Sequence, residues 1–307
     1  MSEPKPILDD PFDGLVTKET SLRIKSPPQL PHLEQYNKPN KGRHYKLLTG
    51  EMVPSVTNVL GILDKPALSW WGASVERDMV VEHAIRAFRT NPTSYDAFEK
   101  ILVGMLPRQQ ARFRKAKVQA DIGVETHGLI QWRCKEMICL NDPEGSYKWN
   151  LARPKASQDA ELAFLAWEEW ADKINLKPKL VEQTVFSHRL KAAGTVDLYG
   201  EQDWPEPGVR RDMAYDWKSS KVSKTRPNGI YDEALIQVAT YADMLVELGV
   251  APDNCMACIV RLPKTLEDPF FDTGELDTVE LMPDTRRSYA DGFLNIRKTF
   301  TFMKEEI

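Results

Sequence analysis

Two short segments with strand-like alternation constrain the fold of this chain most. Gly194–Leu198 and Tyr215–Lys218 are rich in apolar residues, and positions 202–211 between them include two prolines and a glycine. Because proline and glycine mark turns, this loop predicts a hairpin connection. The two segments are therefore expected to be adjacent strands of one sheet.

Charged residues occur at equivalent places in these two predicted strands. If the hairpin closes symmetrically, Asp197 and Asp216 face each other. Strand side chains alternate with a period of two, so Asp216 and Lys218 point to one face and Trp217 to the other. Two carboxylates can hold a divalent cation, and a nearby lysine can orient an attacking water during phosphodiester hydrolysis. On spacing alone, an exposed hairpin ion pair explains these residues equally well.

A helix is predicted downstream, from Tyr231 to Leu248, because its apolar residues recur at helical spacing. Gln237 and Tyr241 lie four residues apart on a second stripe of this helix. Together they can reach a phosphate and a base or sugar. The alternative is a polar pair at the edge of a helix–sheet interface.

A second helical tract, Arg108–Leu140, carries Gly123 and His127 on one face. Glycine in a helix interior costs about 1 kcal/mol relative to alanine, so Gly123 predicts close approach of another backbone. His127 is a candidate metal ligand, although a lone helical histidine is more often a surface or packed residue.

The order of these elements resembles the RecB-type branch of the PD-(D/E)XK nuclease superfamily. The resemblance rests on Gly123-x3-His127, Glu182, the Gly194–Asp197 segment, Asp216-x-Lys218 and Gln237-x3-Tyr241, and it covers about residues 43–265. The Pro54–Leu60 segment also resembles the opening of phage and mitochondrial members. The family implies an α/β, restriction-endonuclease-like αβββαβ core with a mixed central sheet, here preceded by a helical N-terminal region.

The resemblance also implies roles for individual residues. His127, Asp197, Asp216 and the main-chain carbonyl of Trp217 would hold one or two Mg²⁺ or Mn²⁺ ions, and Lys218 would be the catalytic lysine. Gln237 and Tyr241 would support the site and meet the nucleic acid. Glu182 would have a supporting role at most, and an ordinary strand glutamate is an equal alternative.

The net charge of −4 does not favour a nucleic-acid protein, but phosphate attraction depends on where the cations lie. One basic group spans Arg108–Lys117, before His127. A second follows Asp216 and consists of Lys218, Lys221, Lys224 and Arg226. Both flank the predicted site in sequence, although a basic helix face is usually only a solvated one.

The four cysteines form two pairs, Cys134 with Cys139 and Cys255 with Cys258. Some RecB-type nucleases carry an iron–sulfur cluster held by one upstream and three clustered cysteines. The two-and-two division here, with Cys255 and Cys258 on opposite faces of a strand, disfavours a cluster or structural zinc. Four reduced thiols, and the lack of a secretory signal or membrane-length apolar run, predict a cytoplasmic protein.

The expected organisation is an extended or partly disordered arm at 1–41, a hairpin and helical region at 42–155 that contributes the His127 helix, and a nuclease core with a C-terminal helix at 156–307. Residues 42–307 are expected to form one compact unit. Trp70 and Trp71 are interpreted as core anchors rather than base-stacking platforms. Strands are predicted at 179–187, 193–200, 213–218 and 255–262, and a final helix at 284–306.

The predicted function is a metal-dependent deoxyribonuclease, most simply an exonuclease acting on single-stranded DNA or duplex ends. A structure-specific endonuclease, an RNA nuclease, and a non-cutting DNA-binding or recombination protein with the same fold remain alternatives. A recombination or replication protein is a possible partner, and no membrane association is expected.

Overall fold

The fold is seen in a computed structural model that describes residues 30, 33–38, 42–63, 66–107, 110–142, 149, 151–220, 222, 229–264 and 268–304. Of the residues expected to contact DNA, Lys221, Lys224 and Arg226 lie outside this set, as do Arg108 and most of the expected N-terminal arm.

A five-stranded mixed sheet forms the centre of the molecule. Its strands, in spatial order, are β4 (Lys177–Ser187), β5 (Ala192–Asp203), β6 (Arg210–Ser219), β7 (Met256–Leu262) and β8 (Thr278–Leu281). Only β6 and β7 pair in parallel. Every residue of β7 is buried, as expected for a strand with both faces covered.

Helices cover both faces of this sheet. One core cluster joins the sheet to α6 (Asp232–Glu247) and α8 (Pro283–Lys304). The other joins it to α4 (Ala111–Leu140) and α5 (Gln158–Lys173). On α5, the apolar side chains recur every three or four residues, and Trp167 and Trp170 are buried as predicted.

The segment before α4 contains a second sheet and three helices. The sheet consists of β1 (Glu34–Lys38), β2 (Gly42–Lys46) and β3 (Met52–Pro54), all antiparallel. The helices are α1 (Val56–Leu60), α2 (Pro66–Phe88) and α3 (Tyr95–Met105). A short helix, α7 (Phe270–Thr273), precedes β8. Of the helices that the structure describes, none is both long and apolar enough to cross a membrane.

The predicted order of helix, three strands, helix and strand is observed in α5, β4, β5, β6, α6 and β7. The hairpin between β5 and β6 also forms as predicted, with Asp203 opposite Arg210. Three described elements were not predicted, one of which is the short helix α7. β1 lies within the expected extended arm, and β8 adds an antiparallel edge strand after β7.

The interpretation of Trp70 and Trp71 as core anchors is wrong. Their exposed fractions are 80% and 40%. The prediction for Gly123 is also wrong, because a Cβ added there would meet no described atom within 4 Å. In both cases this part of the helix surface is open to solvent instead of being packed against another element.

Candidate active site

The ladder between β5 and β6 ends at the two predicted acids. Paired residues run from Asp203–Arg210 to Leu198–Tyr215, and Asp197 and Asp216 come next in each strand. Beyond that point the Trp217 N–H donates to Asp197 Oδ2 at 3.0 Å. A side-chain carboxylate thus replaces the main-chain acceptor that continued pairing would supply. The ladder therefore ends where Asp197 and Asp216 come opposite each other, at the positions that the predicted hairpin gave them.

The Trp217 carbonyl points into the same gap. In a strand, the N–H and C=O groups of one residue lie on the same edge. Since the Trp217 N–H is directed at Asp197, its carbonyl oxygen also faces the β5 side, where the ladder has ended. The indole points out of the sheet on the α5 face and packs against Trp167 and Trp170.

Three side chains from three elements converge beside this gap. His127 of α4, Glu182 of β4 and Asp197 of β5 each offer a ligand atom, and these atoms lie within 4.8 Å of one another. His127 Nδ1 is 3.7 Å from Asp197 Oδ2. All three side chains are half-buried, so they are accessible from solvent. One imidazole nitrogen and two carboxylate oxygens form a donor set that fits Mn²⁺ or Mg²⁺.

Glu182 has an unusual backbone within this trio. Its φ is +49°, in the left-handed region that non-glycine residues rarely adopt. Burial, then the neighbouring Asp197 carboxylate, raise the pKa of Glu182 to about 7, against a smaller opposing effect of Lys135. Strained backbone and a perturbed pKa together are common at functional sites.

Asp216 is fully buried next to the trio. Gln237 Nε2 donates to its Oδ1 at 2.8 Å. Lys218 Nζ is 2.5 Å from its Oδ2, but that oxygen has no aligned hydrogen-bond donor within the described part of the chain. Burial raises the pKa of Asp216 to about 7, and Asp197 adds to the rise while Lys218 opposes it. The Asp216 carboxylate is therefore held by an amide donor at one oxygen and by the Lys218 ammonium at the other.

Lys218 combines a carboxylate partner with access to solvent. Its side chain is 34% exposed. Burial lowers the pKa of Lys218, but the Asp216 and Asp197 carboxylates outweigh this effect and the net shift is upward. The side chain is therefore an ammonium ion at neutral pH.

Tyr241 supports the site from beneath. It is 2% exposed, and a Cβ on Gly194 would lie 2.5 Å from its Cε1. Gly194 is therefore required for the Tyr241 ring to pack against β5. This burial gives Tyr241 no surface with which to reach a nucleic acid.

The trio contains two of the predicted metal ligands, His127 and Asp197. Its third member is Glu182, for which a supporting role at most was predicted, and Asp216 lies outside it. Asp216 lies close enough to raise the pKa of Glu182, while its own oxygens face Gln237 and Lys218. The available sequence signal for Glu182 was an acid that directly follows the apolar pair Leu180 and Val181 in a predicted strand.

A groove of about 490 Å³ leads to the trio along α4. Its lining includes His127, Glu182 and the small residues Ala120, Gly123 and Gly128. A Cβ at either glycine would meet no described atom within 4 Å. The glycines therefore leave the helix surface beside His127 open to solvent.

The cysteines lie apart from this site. Cys255 belongs to the core cluster on the α6 face of the sheet and Cys258 to the cluster on the α5 face, as their predicted opposite orientation requires. Burial raises the pKa of both thiols and of Cys134, so these side chains pack as neutral apolar groups.

No protein-family model matches this chain, and a search of curated proteins finds no match.

Proposed function

We propose that this protein is a divalent-metal-dependent deoxyribonuclease with a restriction-endonuclease-like fold. The observation that carries the proposal is the convergence of His127, Glu182 and Asp197 beside the ion pair of the buried Asp216 with Lys218. A structural ion pair alone gives no reason for an imidazole and two further acids to meet at a break in a strand ladder. The succession from α5 to β7 supports the proposed fold.

His127, Glu182 and Asp197 would hold the cation. The family resemblance adds the Trp217 carbonyl and Asp216, whose Oδ2 would be shared with Lys218. A bound Mg²⁺ or Mn²⁺ would offset the negative charge that develops on the phosphate and make water a better nucleophile. Donors from β4, β5 and α4 would be fixed by the sheet and by the helix that crosses it.

Lys218 would act as a fixed positive charge next to the reacting phosphate. Its raised pKa keeps it protonated, which favours orientation of water and charge stabilisation over proton abstraction. Gln237 would hold the Asp216 carboxylate in place through its 2.8 Å hydrogen bond. The exposed fraction of Lys218 leaves its ammonium able to contact substrate.

Substitutions of Asp216 and Lys218 test this function. We expect Asp216→Asn and Lys218→Ala each to reduce Mg²⁺- or Mn²⁺-dependent cleavage of end-labelled DNA by roughly 100-fold or more, because each removes charge from the transition-state environment. Asp212→Asn is the matched control, since Asp212 lies on the same strand and is paired with Lys179 at 2.7 Å.

Wild-type activity that EDTA abolishes, with Asp212→Asn active and the other two variants inactive, is the expected pattern. Full activity in both Asp216→Asn and Lys218→Ala would refute the proposal. DNA binding by the wild type without cleavage in either metal would favour the non-cutting alternative. Parallel digestion of linear and closed circular DNA separates an exonuclease, which we expect, from an endonuclease, and labelled RNA tests the choice of DNA.

A further inference from the structure

A second and larger concavity lies on the opposite side of α4 from the His127 groove. This cleft has a volume of about 1220 Å³ and is bounded by α2, the N-terminal half of α4 and the end of β6. Ser219 and Ser220, which directly follow Lys218 in the chain, line one end of it. One strand residue spans about 3.3 Å, so the cleft reaches close to the proposed catalytic lysine.

The two helical walls are joined at one end by hydrogen bonds. Glu76 of α2 accepts the first two N–H groups of α4, from Ala111 and Arg112, at 3.0 Å each. These are groups that a helix leaves without internal partners. Gly72 permits close contact there, because a Cβ would lie 3.1 Å from Arg112 Cδ. The cleft is thus held by specific contacts between its walls.

The α2 wall presents an apolar stripe that begins with an aromatic ring. Trp71, Val75 and Met79 are four residues apart and line the cleft. Trp71 is 40% exposed, which leaves a large aromatic surface in contact with solvent. Base–aromatic stacking on such a ring is worth about 1–3 kcal/mol per base.

The α4 wall presents cations to the same space. Arg114 and Lys115 line the cleft opposite the tryptophan wall. The acids of the α2 wall are offset by neighbouring arginines, with Asp78 2.8 Å from Arg77 and Glu82 2.5 Å from Arg86. Asp159 and Lys264 also line the cleft, with opposite charges.

The floor near β6 adds a polar group. Ser219 Oγ is buried and has no hydrogen-bond partner among the described residues. An aromatic ring on one wall and cations on the other match the chemistry of an unpaired nucleotide, which presents a base and phosphates.

We propose that this cleft is a binding site for an unpaired DNA strand, with a base stacked on Trp71 and phosphates contacted by Arg114 and Lys115. The faces of bases in a duplex are covered by their neighbours, so an exposed ring favours an unpaired strand. The assignment of this strand as substrate for the Lys218 site rests on the proposed function. Binding in the cleft does not.

The adjacent tryptophans provide a matched test. Fluorescein-labelled oligothymidylate and a duplex of mixed sequence are titrated with full-length protein in EDTA, and binding is followed by anisotropy. Trp71→Ala is expected to weaken oligothymidylate binding by about 5- to 150-fold, the equivalent of one lost stacking contact. Trp70→Ala is expected to change it less than about twofold, since Trp70 is more exposed but does not line the cleft.

Equal affinities for Trp71→Ala and Trp70→Ala, or tighter binding of the duplex than of the oligothymidylate by the wild type, would overturn the proposal. Alanine favours helices, and circular dichroism of both variants checks the fold. Because binding is measured without metal, it is independent of cleavage. If Trp71→Ala loses binding and the wild type never cleaves DNA, the cleft binds the strand but the proposed nuclease function is wrong. If Trp71→Ala binds normally and the wild type cleaves DNA, the proposed function stands and the binding site in the cleft is wrong.

Discussion

Glu182 shows at the residue scale how local preference and site geometry conflict. Its left-handed φ of +49° is unfavourable for a residue with a side chain, and its carboxylate is placed near Asp197 in a partly buried setting that raises its pKa to about 7. Neither feature stabilises the fold. The unfavourable backbone and the raised pKa both result from the position of this carboxylate next to His127 and Asp197. A bound cation would compensate for them.

We therefore expect Glu182→Asn to raise the free energy of unfolding in EDTA by about 1 kcal/mol, because asparagine tolerates the left-handed region and carries no charge. Urea unfolding measures the change. Glu182→Gln is the control, since it removes the same charge but keeps a side chain unsuited to that backbone.

Equal stabilities of the asparagine and glutamine variants would argue against backbone strain at position 182. Both variants should also lose most of the rise in melting temperature that Mn²⁺ produces in the wild type. A full Mn²⁺ response in both would remove Glu182 from the proposed ligand set.

At the scale of elements, two glycines have opposite reasons for their positions. Gly194 of β5 lies against the Tyr241 ring of α6, with no room for a Cβ. Gly123 of α4 lies on an open surface beside the His127 groove. The first is required by packing between strand and helix. The second has no packing reason, and it keeps the approach to His127 unobstructed.

Alanine substitution distinguishes these two cases. Gly194→Ala is expected to destabilise the protein by about 1–3 kcal/mol, because the ring must shift in a packed core. Gly123→Ala is expected to stabilise it by about 1 kcal/mol, because alanine is the better helix former and meets no neighbour. Urea denaturation of the two variants gives both values. Changes of the same sign would contradict this account of the two sites.

At the scale of the whole molecule, the net charge is negative but the proposed binding cleft carries positive charges. The chain carries a net charge of −4, yet Arg114 and Lys115 line a cleft whose α2 acids are paired with arginines. Attraction of a phosphate backbone would depend on this local arrangement, since surface charges farther away than a Debye length of about 8 Å are screened at physiological salt.

The salt dependence of oligothymidylate binding measures this arrangement. Each phosphate contact with a single strand contributes about 0.7 to the slope of log K against log salt, so Arg114→Ala with Lys115→Ala should reduce the slope by about 1.4. Lys177→Ala with Lys298→Ala is the control, because both lysines are exposed and neither lines the cleft. Slopes reduced equally in both double variants would indicate nonspecific attraction.

Sequence by itself determined the succession of elements around the site. The hairpin between β5 and β6, α6 with Gln237 and Tyr241, and α4 with His127 lie where periodicity and turn residues predicted them. These features depend on the periodicity of apolar residues and on turn residues, which act within a short segment and do not require contacts with the rest of the chain. The alternation of Asp216, Trp217 and Lys218 follows for the same reason.

Only the tertiary structure decided which acids meet and which surfaces stay open. Glu182 joins His127 and Asp197 through the backbone turn at φ +49° and the register of β4 on β5, neither of which leaves a periodic pattern. α2 and α4 are joined through Glu76 at the start of α4, and the cleft separates them elsewhere. Trp71 lines this cleft and is therefore exposed. Such contacts join segments distant in sequence, so packing determines them and composition does not.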